Sequence, residues 1–335
     1  MAKRRLTQRQ KERIQTIQER RRERVEARAE EALGESSDND LSEGLVITRH
    51  GQNLAVADSQ GTLYHCLSRQ NIGQVVCGDR VAWQTTSPGQ GVVTAILDRD
   101  SVLVRPNYSG EERALAANIT RLVIVLAPEP PPSTYLVDQY LVAAENIGVE
   151  PLIALNKSDL LDDNALTAFE LAFGHYNTIG YPVMQISAKN ETGLNPLRTQ
   201  LQDQTSILVG QSGVGKSSLI NALLPNLDIQ VGRLSEASGL GKHTTSATTL
   251  YTLPLGGRLI DSPGVRSFRL GKLSLQRLEQ GFRDLQHFFG HCRFSNCSHR
   301  HEPGCALIKA VDEGELSPNR LKNFLHMAAN LSADR

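Results

Sequence analysis

The chain has 335 residues, and its 36 Lys and Arg balance its 36 Asp and Glu, so two or three domains are expected and any nucleic-acid contact must come from local patches, not bulk charge. No uncharged run approaches the roughly 18 apolar residues of a membrane span. Met1–Arg28 is charged throughout with no apolar signal core, which predicts a cytoplasmic protein; three of the five cysteines fall within fourteen positions, which suits a metal site better than a disulfide framework.

Residues 3–28 carry eleven Lys or Arg against four Glu. They read as a basic helix able to lie along phosphates, followed by an acidic, Ser-rich linker from Glu35 to Glu43. From Gly44 the texture changes to short alternating runs: Leu45–Thr48, Asn53–Ala57, Thr62–Leu67, Asp79–Gln84 and Gly91–Leu97. Five strands in about sixty residues predict a small barrel of the OB type. Arg49, His50, Tyr64, His65, Arg69 and Arg80 are its candidate nucleic-acid contacts, and Trp83 is expected in its core.

Beyond Pro106 strand and helix alternate. Ile119–Leu126, Pro151–Leu155 and Pro182–Ile186 read as buried strands, and Tyr135–Ile147, Ala165–Phe173 and Leu194–Leu201 as amphipathic helices. That rhythm predicts a parallel sheet covered on both faces, with ligands at the carboxyl ends of its strands. The residues after those ends are Asn156-Lys157-Ser158-Asp159 and Ser187-Ala188-Lys189.

A further apolar run, Ser206–Val209, leads into Gly210-Gln211-Ser212-Gly213-Val214-Gly215-Lys216-Ser217 and then the helix-like Ser218–Leu224. G-x-x-x-x-G-K-S between strand and helix predicts a phosphate-binding loop. Its glycines let backbone N–H groups face a β-phosphate; Lys216 bridges β- and γ-phosphate oxygens, and Ser217 holds Mg²⁺. Leu259-Ile260 then runs into Asp261-Ser262-Pro263-Gly264.

Taken together these stretches resemble the N-K-x-D, S-A-K and D-x-x-G motifs of GTPases. In such proteins the phosphate loop ordinarily comes first; here the two base-reading motifs precede it, so the resemblance is to a circularly permuted GTPase domain. A sheet tolerates the change because its packing depends on neighbours in space. The resemblance implies that Asp159 accepts hydrogen bonds from guanine N1–H and N2–H₂, a pair that adenine lacks. It further implies that Asn156 and Lys157 brace the loop and cover the base, that the Ala188 N–H meets guanine O6, that Asp261 holds Mg²⁺ through water, and that the Gly264 N–H detects the γ-phosphate.

Between Asp228 and Thr249 a Gly-, Ser- and Thr-rich stretch reads as a long switch loop in which Thr244 or Thr245 supplies a second Mg²⁺ hydroxyl. Val265 stands where Ras-like proteins carry a water-orienting glutamine, and valine has no group to offer water. His243 is the candidate to take over that task.

After Leu273 helical spacing returns, with Leu275, Leu278, Phe282, Leu285, Phe288 and Phe289 on one stripe. Cys292-x₄-Cys297-x-His299-x₅-Cys305 follows, a set that predicts a closed, structural Cys₃His Zn²⁺ site, with His291 and His301 as competitors for the nitrogen position. A last helix starts at Ser317-Pro318, and metal binding is expected to help so small a segment fold.

The predicted fold is therefore multidomain: a basic extension and linker (1–43), an OB-fold barrel (44–108), a permuted α/β P-loop GTPase domain (109–272) and a helical zinc-binding domain (273–335). Over about residues 44–330 this organisation, with Gly210 to Ser218, Asn156 to Asp159, Asp261 to Val265 and the zinc spacing, resembles the RsgA (YjeQ) family of ribosome small-subunit-dependent GTPases. The resemblance implies hydrolysis of GTP to GDP stimulated by the 30S subunit, a role in late 30S maturation, contacts to 16S rRNA through the barrel and zinc domain, catalysis by the switch-loop histidine, here His243, and a monomer. The rival expectations are an ATP-dependent enzyme using the same loop and an RNA-binding protein that uses GTP only as a ligand.

Overall fold

The computed structural model describes residues 41–106, 112–238, 248–262 and 273–333. The basic extension, His243, Thr244, Thr245, Gly264 and Val265 lie outside the described residues. The chain divides into two compact units, one drawn from Met1–Arg99 and Asp228–Thr249, the other from Asp100–Leu227 and Leu250–Arg335.

The first unit contains β1 (Ser42–His50), β2 (Asn53–Ala57), β3 (Leu63–Ser68), β4 (Arg80–Ser87) and β5 (Gln90–Ile96). Each of the five runs expected from the alternation is a strand. β1 pairs antiparallel with β2 and β4, β2 with β3, and β4 with β5, while β3 and β5 run parallel. The sheet thus closes on itself as a five-stranded barrel, which leaves it without a free edge. Val46, Leu54, Val56, Cys66, Val81, Trp83 and Val93 fill its core. Tyr64 packs its ring 4.5 Å from Trp83, so it supports the core instead of offering an open stacking face; His50 and Arg80 are exposed. Two glycines make room for the indole: a Cβ on Gly44 would lie 2.7 Å from Trp83 Nε1, and one on Gly91 would lie 2.7 Å from both the Trp83 ring and the Gln84 carbonyl.

The second unit begins with a hairpin, β6 (Val102–Pro106) and β7 (Glu112–Ala117), paired antiparallel. The sequence reading did not foresee it. The strands that follow are β8 (Arg121–Leu126), β9 (Glu150–Leu155), β10 (Val183–Gln185), β11 (Thr205–Val209), β12 (Thr249–Thr252) and β13 (Arg258–Asp261). They stand in the order β10-β9-β8-β11-β13-β12, and the pairings of β10 with β9, β9 with β8, β8 with β11 and β11 with β13 are parallel. Continuous apolar runs such as Leu122–Leu126 and Leu152–Leu155, all at most 3% exposed, are what a sheet covered on both faces requires.

The helices, in chain order among the described residues, are α1 (Thr134–Ile147), α2 (Asp163–Phe173), α3 (His175–Ile179), α4 (Leu194–Leu201), α5 (Lys216–Leu223), α6 (Leu227–Ser238), α7 (Leu275–Gln280), α8 (Ala306–Asp312) and α9 (Pro318–Ala333). Ser133 caps α1 by accepting from the Leu136 N–H, and Gly148 ends it in the left-handed region, where a residue without Cβ is favoured. Two expectations are corrected. α6 occupies the start of the stretch expected to be loop from Asp228. The apolar stripe from Leu275 is not one helix: α7 stops at Gly281, whose added Cβ would sit 2.7 Å from Val142 Cγ1 of α1, and a short 3-10 turn, Gln286–Phe288, follows.

α7, α8 and α9 share one core, in which Leu278, Phe282, Leu285, Leu307, Phe324 and Met327 surround Val142 of α1. At its edge Arg320 is fully buried between Asp138 and Asp284. Its Nη1 donates to Asp138 Oδ1 at 2.5 Å and its Nε to Asp284 Oδ2 at 3.0 Å, while the guanidinium lies 4.4 Å from the Phe282 ring centroid. Asp138 also accepts from the Tyr176 hydroxyl at 2.6 Å and Asn323 Nδ2 at 2.7 Å. Burial pushes its carboxyl up, while the Arg320 charge and these donors pull it back.

Because the space above Gly91 is taken by backbone and ring, Gly91→Ala is expected to destabilise the barrel by about 1–3 kcal/mol; thermal melting followed through Trp83 fluorescence checks it.

Candidate nucleotide site and metal centre

The carboxyl ends of β8, β9, β11 and β13 share one edge of the sheet, because these strands run parallel in register. The residues expected to contact nucleotide that fall within the described part of the chain lie at or just after the carboxyl ends of these strands and of β10, which is parallel to β9. From β11 the chain turns through Gly210, Gly213 and Gly215, with φ of 140°, 89° and 89°. No other residue fits at two of them: a Cβ on Gly210 would stand 2.3 Å from the Val125 carbonyl, and one on Gly215 would stand 2.4 Å from Asn156 Nδ2. Val214 points into the core, 1% exposed, and α5 begins at Lys216 with Ser217 and Ser218 exposed in its first turn. Lys216 Nζ donates to the Gly210 and Gln211 carbonyls at 2.8 and 2.6 Å. The ammonium therefore lies within the loop, between the glycine turn and the helix N-terminus, where oriented N–H groups favour an anion.

Asn156 joins this loop to the base-reading loops. It follows β9, is 1% exposed, donates from Nδ2 to the Val214 carbonyl at 2.9 Å and accepts at Oδ1 from the Ala188 N–H at 3.1 Å. The bracing role expected of Asn156 thus has a concrete form. The Ala188 N–H, expected on guanine O6, is engaged with Asn156 in this structure. Lys157 adopts φ 61° and donates to the Glu129 carbonyl at 3.3 Å. Ser158 and Asp159 form a 3-10 turn, Ser158–Leu160. The buried Ser187 hydroxyl donates to Asp159 Oδ1 at 2.5 Å, which leaves the exposed carboxylate oriented by a neighbour; Lys189, two residues after Ser187, is exposed. Asp159 caps no regular helix, since the N-cap of α2 is Asp162. Asp261 ends β13 beside the buried Ser262.

Four donor atoms meet in the C-terminal segment: Cys292, Cys297, His299 and Cys305 all lie within 4.8 Å of one another. Cys292 Sγ is 3.9 Å from Cys305 Sγ and 3.5 Å from His299 Nδ1, and His299 Nδ1 is 3.4 Å from Cys305 Sγ. A tetrahedral ion bonded at about 2.3 Å to sulfur and about 2.0 Å to nitrogen requires edges of about 3.5–3.8 Å, so the set fits a metal ion. Of the three competing histidines it is His299 that belongs to the group. It adopts φ 60°, and Glu302 holds the turn around it: the carboxylate accepts from the Ser298 N–H at 2.8 Å, the Ser298 hydroxyl, the Arg300 N–H at 3.0 Å and the His301 N–H at 3.2 Å. The Ser298 hydroxyl first, then the Ser298 and His301 N–H groups, hold the Glu302 carboxyl far below the usual range. Sequence reasoning missed Glu302; its signal was an acidic residue between two metal-ligating positions.

Fold and site together define a P-loop GTP-binding protein in which the base-reading loops precede the phosphate loop. The family model described as RsgA GTPase matches residues 96–271. The Small ribosomal subunit biogenesis GTPase RsgA of Azotobacter vinelandii is 45% identical over 99% of this chain and 98% of its own length, and that of Pseudomonas aeruginosa is 44% identical over the same shares. The crystal structure of YjeQ from Thermotoga maritima superposes with a TM-score of 0.72 at 30% identity, covering 88% of this chain and all of that one. YloQ, a circularly permuted GTPase, gives 0.71 at 27% identity, over 89% of this chain and 97% of its own. The chain belongs to the RsgA GTPase family.

Since Glu302 ties down both sides of His299, Glu302→Ala is expected to weaken metal retention by about tenfold or more; release to a chromogenic chelator, followed against the unchanged chain, measures it.

Proposed function

We propose that this chain hydrolyses GTP to GDP and phosphate in small-subunit biogenesis, and that the 30S subunit stimulates its turnover. The observation that carries the reading is the pair of hydrogen bonds from Asn156, which bring the loop of Lys216 and the loops of Asp159 and Ala188 to one sheet edge. Asp159 reads the guanine N1–H and N2–H₂ edge; adenine offers no such pair of donors, and each charge-assisted bond contributes about 1.5–3 kcal/mol. Asn156, Lys157, Ser158, Ser187 and Lys189 frame the base, and residues 210–218 cradle the phosphates.

Ser217 and Asp261, with Thr244 or Thr245, would supply the oxygen donors that suit Mg²⁺, and the ion would supply charge neutralisation on the phosphates. In this reading His243 would position water for attack on the γ-phosphorus as the bond to the bridging oxygen breaks, a task for which Val265 has no polar group, and the Gly264 N–H would detect the γ-phosphate. Cys292, Cys297, His299 and Cys305 would together favour Zn²⁺ among common cellular ions and would leave it no open position, the donor set of a structural ion.

The ribosomal setting is supported by the names of the relatives and by the barrel and metal segment, both of which suit contacts to 16S rRNA. The organisation is a basic extension (1–43), a barrel (44–108), a nucleotide domain (109–272) and a zinc segment (273–335), working as a cytoplasmic monomer. Among the described residues no helix is long and apolar enough to cross a membrane.

Phosphate release measured with and without 30S subunits tests enzyme and partner together: stimulation by the subunit is expected, competed by GDP and not by ADP, and equal competition by ADP would return the reading to an ATP-dependent enzyme. Lys216→Ala is expected to abolish binding or turnover. His243→Ala is expected to slow stimulated hydrolysis by about 10²-fold or more, as loss of a group that orients the reacting water does, with GTP affinity nearly unchanged; an unaltered stimulated rate would remove His243 from the mechanism.

A further inference from the structure

α1 touches two things that no motif connects. Toward the phosphate loop it presents Tyr140, 2% exposed, whose hydroxyl is hydrogen-bonded to the backbone of Gly210 and is pushed up to about 12 by burial, hence neutral. Gly210 opens the loop, and its carbonyl accepts one of the Lys216 bonds. Toward the C-terminal segment the same helix presents Asp138, fully buried, together with Thr134 and Tyr135. α9 docks on these groups through Arg320, Asn323, His326 and Asn330, residues at helical spacing on one face. Arg320 and Asn323 bond Asp138, His326 stacks on Tyr135 with ring centroids 4.7 Å apart, and Asn330 Nδ2 donates to the Tyr135 hydroxyl at 3.3 Å. α1 thus contacts the first residue of the phosphate loop through Tyr140 and anchors α9 through Asp138, two residues earlier.

We propose that Tyr140 is a positioning residue for the phosphate-binding loop, and that through α1 the docking of α9 and the affinity for guanine nucleotide depend on each other. The proposal rests on the nucleotide reading above but concerns residues outside every nucleotide motif. Its physical basis is that Gly210 has only its backbone to hold it. Its φ of 140° and the 2.3 Å approach of the Val125 carbonyl to a would-be Cβ exclude any side chain there, so the turn is ordered by backbone hydrogen bonds, one to Tyr140 and one from Lys216. Without the hydroxyl a polar group in the turn loses its partner, and the loop has to be ordered by the ligand instead. Two residues before Tyr140, α1 is held by a buried carboxylate whose donors come mainly from α9, and a carboxylate that loses donors in an apolar setting draws its helix toward water. Coupling of this kind is reciprocal, so nucleotide must in turn tighten α9.

The experiment is a double-mutant cycle on the full-length chain with Tyr140→Phe and Asn323→Ala, reading the Kd of a fluorescent GDP analogue beside the melting temperature. Wild-type binding of the analogue tests the nucleotide reading by itself; the variants test only the coupling. Tyr140→Phe is expected to weaken binding by about fivefold, the scale of one hydrogen bond, with the ring packing kept. Asn323→Ala is expected to weaken it about threefold, and the second change is expected to cost much less in the presence of the first. Amide hydrogen exchange across residues 320–330 is expected to slow when saturating GDP is added to wild type, and not in Tyr140→Phe. Unchanged affinity in both single variants, strictly multiplicative losses in the double variant, or GDP-independent exchange in α9 would each overturn the proposal. Should Asn323→Ala not fold, Asn330→Ala, which loses only an exposed bond to Tyr135, takes its place in the same cycle.

Discussion

One buried amide holds the nucleotide loops together. Asn156 is almost wholly enclosed, so both ends of its side chain must find partners, and the partners they find are the Val214 carbonyl, 58 residues away, and the Ala188 N–H, 32 residues away. The space the amide occupies is the space a Cβ on residue 215 would need; the last glycine of the phosphate loop is therefore required by its neighbour as well as by its own dihedral angle. The amide needs only the parallel sheet, which delivers the ends of β8, β9 and β11 to one edge whatever the order in which the chain visits them. This explains how a permuted chain keeps a single site: the contacts that define it run between strands that are neighbours in space, and none depends on which strand comes first.

The parts legible in the sequence are those whose physics is local. A glycine turn between an apolar run and a helix, a cluster of thiols and imidazoles, and alternating runs closing a barrel are each determined within a short window, and the structure has all three. The hairpin β6–β7 escaped because Glu-Arg-Ala-Leu-Ala-Ala carries no strand preference; it is a strand because Val102–Pro106 pairs with it and Ala116 and Ala117 are wholly enclosed. α6 escaped because glycine and serine around it argue for loop. Arg320 was hidden for a different reason. In the sequence it is a charged residue near the start of an amphipathic helix, the usual mark of a solvated face, and only the distant Asp138 and Asp284 make its burial possible. For the same reason His299 could not be separated from its neighbours by spacing, whereas the left-handed turn held by Glu302 singles it out.

The C-terminal segment has a modest core of its own, and three features compensate. Cys292, Cys297, His299 and Cys305, placed to hold a metal ion, would with one bound cross-link the stretch between the 3-10 turn and α8 that lacks secondary structure. Glu302 supplies the hydrogen bonds that this stretch would otherwise lack. Val142 extends the core into α1, with Gly281 permitting the close approach. A segment stabilised in this way by attachment at its edges is expected to behave as part of the unit it is attached to, consistent with its grouping with the parallel sheet.

That attachment is both apolar and ionic, and the two do different work. Phe282, Phe324 and Leu278 supply burial, which is non-directional and would tolerate sliding of α9 along α1. Buried ion pairs add little net stability, because desolvation offsets the attraction, and well-packed apolar replacements are often as stable. What Arg320 adds is register. A guanidinium bonded to Asp138 on one side and Asp284 on the other, with Tyr176 and Asn323 completing the Asp138 shell, has one alignment, and a slip of a single helical turn would leave two carboxylates and a guanidinium buried without partners. The cost of that alternative is several kcal/mol, so α9 is either docked in this register or not docked at all. An element with two such states, rather than a continuum, is what a nucleotide site needs in a neighbour if occupancy on the Tyr140 side of α1 is to be felt at Asp138.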